Sequence, residues 1–202
     1  MNSRFVAIVC CACLWLSGCA GLQKPAPDDL SWQQHREALQ QLEHWTASGK
    51  VALRSPEQAE SAGMVWQQRG GATSIRLSGP VGIGATTLDS DGEYLEIRQG
   101  DEYSRWRLDD ALLPQSGRHW QLPLQALPYW IRGIPAPALP LQEVTLDANG
   151  RLPLSIQQLD WTVDYESFGE FEGHTLPTRL RVYREDTSAR IILRQWRGFT
   201  SP

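Results

Sequence analysis

Short segments in which apolar and polar residues alternate recur along most of the chain, and this period of two is typical of β-strands with one buried face. Their spacing, with turn residues between them, predicts an antiparallel sheet built from meanders. The segments predicted as strands are residues 64–69, 74–78, 93–98, 103–108, 144–146, 161–165, 180–184 and 191–196.

Dipeptides that contain glycine separate several of these segments, and they supply the positive φ angles that tight hairpins require. We assign hairpin turns to Gly70-Gly71, Asp91-Gly92, Gly100-Asp101 and Asn149-Gly150. Asp89 and Asp91 are interpreted as turn residues, and a calcium-binding loop is the alternative.

Two stretches have the period of a helix instead. Ser31 can cap a helix that runs to about Leu42 and carries Trp32 and Leu39 among its apolar residues. Residues 124–132 predict a second helix, after which the chain is forced into an extended connection by Pro135, Pro137 and Pro140. The predicted fold class is α+β and mainly β: one curved antiparallel sheet covered by helices.

The first residues have the pattern of an export leader. Arg4 precedes an apolar run of twelve residues, 5–16, which is too short to cross a bilayer as a helix but suits the core of a signal peptide. Directly behind it, Leu16-Ser17-Gly18-Cys19 resembles the bacterial lipobox, whose cysteine is lipidated before cleavage. We therefore predict a signal peptide at residues 1–18 and a lipid anchor on Cys19. An ordinary secretory leader with a chance cysteine is the alternative.

The residues after the cysteine indicate the membrane in which the anchor resides. Ala20 stands where an aspartate typically marks proteobacterial lipoproteins for the inner membrane, so the resemblance implies the outer membrane of a Gram-negative host, on its periplasmic face. Residues 19–30 are predicted to be the lipidated cysteine and a flexible polar tether, and residues 31–202 a single lipoprotein-binding domain.

Charge and cysteine content exclude several classes of protein. The formal net charge of −4 has the opposite sign to that of most nucleic-acid-binding domains, so no nucleic-acid partner is expected. All four cysteines lie in the first 19 residues, and the body therefore has no disulfide framework and no thiolate metal site.

The sequence lacks the common catalytic motifs, since it has no Gly-x-Ser-x-Gly, no His-Glu-x-x-His and no phosphate loop. The four histidines are far apart in sequence, and Asp109-Asp110 is better explained as a solvated cap than as an acid–base pair. We expect no enzyme, no metal site and no cofactor.

Seven motifs follow one another in an order that is specific as a set. In the first half they are Trp32-Gln33-Gln34-His35, Val65-Trp66-Gln67-Gln68, Ile75-Arg76-Leu77 and Gly79-Pro80-Val81-Gly82. In the second half they are the segment 124–135, which contains Trp130-Ile131-Arg132-Gly133-Ile134-Pro135, and the pair Leu176-Pro177-Thr178-Arg179-Leu180 and Ile191-Ile192-Leu193. Together they resemble the outer-membrane lipoprotein receptor family, LolB, over nearly all of residues 31–197.

This resemblance implies an unclosed antiparallel β-barrel with helices over its opening and an apolar cavity inside. It also implies a monomeric receptor that accepts lipoproteins, by their acyl chains, from the periplasmic carrier LolA. The receptor would insert them into the inner leaflet of the outer membrane without nucleotide hydrolysis. The alternative is a lipid-anchored structural or assembly module of the cell envelope that binds no acyl chain.

The loop at residues 79–84 is the predicted membrane-insertion loop. Glycines frame Val81 and Ile83, Gly82 lies between them, and no charged residue is near. The resemblance implies an exposed apolar residue at Val81, where the family commonly has leucine. Burial of Val81 and Ile83 in the core at a turn is the alternative.

For the acyl-binding cavity we select apolar residues that fall on single faces of their strands, together with two residues of the second predicted helix. They are Trp66, Ile75, Leu77, Leu95, Ile97, Trp106 and Leu108 from the strands and Trp130 and Ile131 from the helix. Ordinary core packing is the alternative for most of them.

Overall fold

The computed structural model describes residues 27–57, 59–79, 84–108 and 123–200, with side chains from residue 32 onward. Eleven strands lie in these residues: β1 (His44–Arg54), β2 (Ala59–Arg69), β3 (Ala72–Ser78), β4 (Thr86–Ser90), β5 (Tyr94–Gln99), β6 (Glu102–Arg107), β7 (Leu141–Leu146), β8 (Pro153–Gln158), β9 (Trp161–Phe171), β10 (His174–Arg184) and β11 (Thr187–Thr200). They form one antiparallel sheet in the order β6-β5-β4-β3-β2-β1-β11-β10-β9-β8-β7.

The strand order shows that the sheet is not closed. β1 to β6 form one meander, β7 to β11 form another, and the two meanders meet where β1 pairs with β11. β6 and β7 lie at the two edges of the described sheet. The expected unclosed antiparallel sheet is therefore confirmed.

Each of the eight predicted strand segments overlaps a strand of the structure, and each of the four predicted turns joins two neighbouring strands. Three strands were not predicted. The sequence pattern of each explains why: Gly49 interrupts the alternation in β1, β4 contains a single apolar residue, Leu88, and β8 begins at Pro153. One residue was misplaced: Asp89 lies within β4 and not in the turn.

The two described helices differ in length from the predicted ones: the first is slightly longer and the second is shorter. Helix α1 (Pro27–Gln40) begins before Ser31, and helix α2 (Leu127–Trp130) is a single turn within the predicted span 124–132. Pro128 occupies the first turn of α2, and Gly133, with a φ of 85°, turns the chain away soon after it. Within the described residues, no helix is long and apolar enough to span a membrane.

The core lies on the inner face of the sheet. The ring centroid of Trp45 is 5.5 Å from that of Trp66 and 5.2 Å from that of Trp196, so three indoles from β1, β2 and β11 pack together. Leu39, in the last turn of α1, and Leu42, two residues after its end, are buried in the same core. The end of α1 is thereby packed against the tryptophan cluster.

Gln158, at the end of β8, fastens the segment after α2 to the sheet. Its Oε1 accepts hydrogen bonds from Trp130 Nε1 (2.9 Å) and the backbone N–H of Ala136 (2.8 Å). Its Nε2 donates to the backbone carbonyls of Ala136 (3.0 Å) and Leu139 (3.1 Å). The side chain is 1% exposed, so this amide is buried with its hydrogen-bonding capacity used.

Replacing Gly49 with alanine should destabilise the junction between the meanders. A Cβ at this position would lie 1.9 Å from the carbonyl oxygen of Ile192, so β1 and β11 would have to separate locally. We expect the free energy of unfolding to fall by about 1–3 kcal/mol in a denaturant titration. Gly71→Ala is the matched control, because no atom lies within 4 Å of its added Cβ. Equal stability of the two variants would contradict this account.

Replacing Gln158 with leucine should destabilise the segment after α2. The buried indole N–H of Trp130 and the N–H of Ala136 would lose their partner, at a cost of about 1–3 kcal/mol for each unsatisfied group, whereas the carbonyl of Ala136 keeps the N–H of Leu139. We expect a loss of roughly 2 kcal/mol or more in thermal or denaturant unfolding. Gln157→Leu, on the exposed neighbouring residue of the same strand, should change stability little.

Candidate functional site

A cavity of about 410 Å³ lies between the inner face of the first meander and the segment around α2. It sits at the end of the sheet where the β2–β3 and β4–β5 turns lie, because Gly70, Gly71 and Gly92 are part of its wall. The full lining is Gln40, Leu42, Glu43, Trp66, Gln68, Gly70, Gly71, Thr73, Ile75, Leu88, Ser90, Gly92, Leu95, Leu108, Leu124, Gln125, Leu127, Pro128, Tyr129 and Arg132.

The register of the strands explains the apolar part of the wall. Trp66 pairs with Ile75, and Ile75 pairs with Leu88, so one row of apolar side chains crosses β2, β3 and β4 on the inner face. Leu95 and Leu108 extend the wall from β5 and from just after β6. Alternation along each strand therefore brings apolar residues from distant parts of the sequence to one surface.

A glutamine organises the polar part of the wall. Gln68 Oε1 accepts hydrogen bonds from Trp66 Nε1 (3.2 Å) and Thr73 Oγ1 (2.7 Å). Gln68 Nε2 donates to the carbonyl oxygen of Gly70 at 2.8 Å. Because the amide already has its hydrogen-bond partners within the protein, it does not need a polar group of a ligand as a further partner.

Arg132 joins α1 to the segment around α2. Its Nε donates to the carbonyl of Pro128 (2.9 Å), and one terminal nitrogen donates to the carbonyls of Leu39 (2.6 Å) and Leu42 (2.8 Å). Burial lowers the pKa of Arg132 to about 10, so the guanidinium remains charged at neutral pH. A charged donor at the C-terminal carbonyls of α1 is favourable, because the negative end of the helix dipole lies there.

The segment around α2 is also hydrogen-bonded to the second meander. The hydroxyl of Tyr165, on β9, donates to the carbonyl oxygen of Trp130 at 2.9 Å. Burial raises the pKa of Tyr165, so this hydroxyl keeps its proton and remains a donor. With Gln158 and Arg132, three polar side chains thus fix the position of the segment that closes one side of the cavity.

The predicted cavity residues divide into two groups. All six strand residues from Trp66 to Trp106 share the inner face, and the structure brings four selected residues to the cavity: Trp66, Ile75, Leu95 and Leu108. The remaining five do not line this cavity and are Leu77, Ile97, Trp106, Trp130 and Ile131.

The structure gives physical reasons for three of these departures. Trp106 is 40% exposed, and its strand β6 is an edge of the described sheet, with one neighbouring strand among the described residues. Trp130 is held in the core by Gln158, and Ile131 beside it is also buried in the core. Sequence reasoning missed Leu88, because its strand was missed, although the β-branched threonines before it were a signal.

The lipid-anchor residue and the membrane-insertion loop lie outside the described residues, since Cys19, Val81, Gly82 and Ile83 do so. The flanks of the loop are placed: Leu77 pairs with Thr86, so the chain leaves β3 and enters β4 at the same end of the sheet. This end is opposite to the β2–β3 turn at the cavity.

The aspartates considered for calcium binding have other partners. Asp91 Oδ1 accepts the backbone N–H groups of Tyr94 (2.7 Å) and Glu93 (2.9 Å), and these bonds lower its pKa. Asp89 accepts from Ser74 and forms an ion pair with Arg98. In the part of the chain that the structure describes, no three potential metal ligands come together.

Comparison with known proteins agrees with these features. The model of the family "Outer membrane lipoprotein LolB" matches residues 43–196. The chain is 35% identical to the outer-membrane lipoprotein LolB of Pseudomonas syringae pv. syringae (strain B728a) over 188 residues, which cover 90% of each chain. It is 36% identical, with the same coverage, to the outer-membrane lipoprotein LolB of Pseudomonas aeruginosa (strain LESB58).

Solved structures show the same fold at low sequence identity. A LolA superfamily protein from Nitrosomonas europaea superposes with a TM-score of 0.52 at 11% identity, covering 85% of this chain and 95% of that one. A DUF1329 family protein from Desulfovibrio piger ATCC 29098 superposes with a TM-score of 0.54 at 11% identity, covering 84% and 90%. By its family model and its relatives, the chain belongs to the outer-membrane lipoprotein LolB family.

Proposed function

We propose that the protein is an outer-membrane receptor that takes lipoproteins from the periplasmic carrier LolA and inserts them into the inner leaflet of the outer membrane. Membership of the LolB family supports an outer-membrane lipoprotein of this transport system. The observation that carries the proposal is the cavity with an apolar wall between an unclosed sheet and the segment around α2.

The cavity provides an apolar surface that can cover an acyl chain and remove it from water. Each exposed methylene costs about 0.8 kcal/mol, so a long chain costs on the order of 10 kcal/mol until an apolar surface covers it. A volume of about 410 Å³ lies in the range of ordinary ligand sites. Leucines, isoleucine and tryptophan supply the apolar part of the surface, and the amide of Gln68 beside them has its hydrogen bonds within the protein. Gln40, Glu43 and Gln125 form a polar part of the same lining.

The transfer needs only a gradient of affinity. A tenfold difference in affinity between carrier and receptor corresponds to about 1.4 kcal/mol, and slightly better burial at each stage supplies it. The sequence contains no phosphate-loop motif. We therefore propose that the protein uses no nucleotide and has no catalytic activity.

An anchor on Cys19 would keep the domain near the bilayer. Helix α1 begins at Pro27, so seven residues, 20–26, separate it from the cysteine. Fully extended, seven residues span at most about 25 Å. Acyl chains on Cys19 therefore hold the receptor at the periplasmic surface of the outer membrane, within reach of the leaflet that accepts the cargo.

A lipid-anchored structural module of the envelope is the alternative, and binding of a fluorescent fatty acid separates the two functions. The receptor should bind the probe and release it when acylated lipoprotein is added. A structural module should bind neither ligand in the cavity.

Filling the cavity should block uptake. Leu88→Trp places a bulky indole on the inner face of β4, and we expect at least a roughly tenfold loss of affinity for acylated lipoprotein, about 1.4 kcal/mol. Thr87→Trp is the matched control, because Thr87 points to the opposite face of the same strand. Unchanged uptake by Leu88→Trp, with both variants folded, would show that this cavity is not the acyl site.

Changing Val81 to glutamate should separate uptake from delivery. If Val81 is the exposed tip that enters lipid, the variant should take cargo from the carrier normally but deliver it slowly to liposomes. Thermal unfolding should be nearly unchanged, whereas a buried unpaired carboxylate would cost several kcal/mol. A strong loss of melting temperature would therefore place Val81 in the core and remove the loop from the functional site.

A further inference from the structure

The outer face of the sheet carries a group of cations that the cavity does not use. Six exposed basic residues lie on or beside three successive cross-strand rows from β3 to β10, and we call this group the basic face: Lys50, Arg76, Arg179, Arg181, Arg190 and Arg194. Arg184, also on β10, is not part of it, because alternation along the strand places it on the opposite face, where its guanidinium lies 4.9 Å from the ring of Trp161. Arg181 belongs to the group, and its guanidinium lies 4.8 Å from the ring of Tyr183.

The register brings like charges together. Arg181 lies directly opposite Arg190, and Lys50 and Arg179 lie on either side of Ile192 in the next row. Like charges in directly opposed positions of a sheet are unfavourable unless something of opposite sign offsets them. We therefore expect anionic groups to lie against this face and offset the repulsion between its cations.

The described residues supply only part of that negative charge. Glu166 accepts hydrogen bonds from Arg190 at 2.9 and 3.0 Å and lies 3.8 Å from Arg179. Asp164 lies opposite Arg181 and also accepts from the hydroxyl of Ser155. On these rows the six cations face two carboxylates, although the whole chain has a net charge of −4.

Aliphatic side chains lie among the cations. Val65, which pairs with Arg76, is 39% exposed, and Ile192 is half-buried between Lys50 and Arg179. A surface of cations mixed with aliphatic groups fits a bilayer interface, where phosphates lie next to the first carbons of the lipid tails. An acidic protein surface would satisfy the charges but gives no reason for the exposed valine.

We propose that the basic face binds the phosphate groups of anionic phospholipids and lays the outer side of the sheet against the bilayer. This proposal rests on the proposed function, because the anchor on Cys19 brings the face within reach of the membrane. The cavity lies on the inner face, so this orientation leaves it accessible to a carrier from the periplasm.

Vesicle flotation tests the proposal with the full chain. Cys19→Ala is present in every sample, so that no acyl anchor masks a weaker contact. One set of vesicles is phosphatidylcholine alone, and in the other about a third of the lipid is phosphatidylglycerol, which gives the negative surface that basic residues bind. The leader, which contains Arg4, is the same in every protein, so the difference in binding to anionic vesicles between the parent and the test variant reports the contact made by the basic face.

The test variant combines Lys50→Gln, Arg76→Gln and Arg181→Gln. Each lost charge should lower the partition coefficient on anionic vesicles up to about fivefold, and high salt should have the same effect on the parent chain. The control combines Arg69→Gln, Arg107→Gln and Arg151→Gln, three exposed cations outside the basic face, which should retain the parent's binding. Melting temperatures confirm that all three proteins fold.

Three results would overturn the proposal. They are equal binding of the parent chain to both vesicle types, an equal loss in the control variant, and unchanged binding of the test variant. If the test variant keeps its vesicle binding but takes acylated lipoprotein from the carrier more slowly, the face binds an acidic protein surface instead. Uptake from the carrier is measured separately in solution, and its absence in the parent chain would count against the proposed receptor function alone.

Discussion

The pairing of β1 with β11 is the contact on which the rest of the structure depends. It joins strands from opposite ends of the domain. Without it, β1 and β11 would each become an edge strand with unpaired backbone N–H and C=O groups. The close approach at Gly49 lets the strands stay paired where β11 carries an extra residue. The indoles of Trp45 and Trp196 then meet across this junction and start the core that Trp66 extends.

The cavity depends on a second set of contacts, which are polar. Beyond the tryptophan cluster the inner face of the first meander is covered by the segment around α2, and that segment has only one turn of helix to stabilise it. Gln158, Tyr165 and Arg132 hold it through buried hydrogen bonds to the second meander and to α1. Such bonds are directional, so they specify one position of the cover where apolar packing alone would allow several.

Local patterns in the sequence predicted most strands, because alternation and glycine turns are properties of neighbouring residues. They missed β4, where Leu88 is the single apolar residue, and so missed a wall of the cavity. They also predicted that Trp130 lines the cavity. In the structure its indole N–H donates a hydrogen bond to Gln158, which lies 28 residues away in sequence. The role of Arg132 depends on carbonyls about 90 residues away, and no local pattern encodes such a contact.

An open sheet has consequences that a closed barrel would not have. In a barrel, the number of strands and their stagger fix the interior volume. Here β6 and β7 are the edges of the described sheet, and charged residues such as Arg105 on β6 and Glu143 on β7 protect such edges from pairing with other chains. The volume beside β2 to β5 is set instead by how the segment around α2 is tied down. Because those ties are a few hydrogen bonds from Gln158, Tyr165 and Arg132, the size of the cavity is governed by contacts that can change without unpairing a single strand of the sheet.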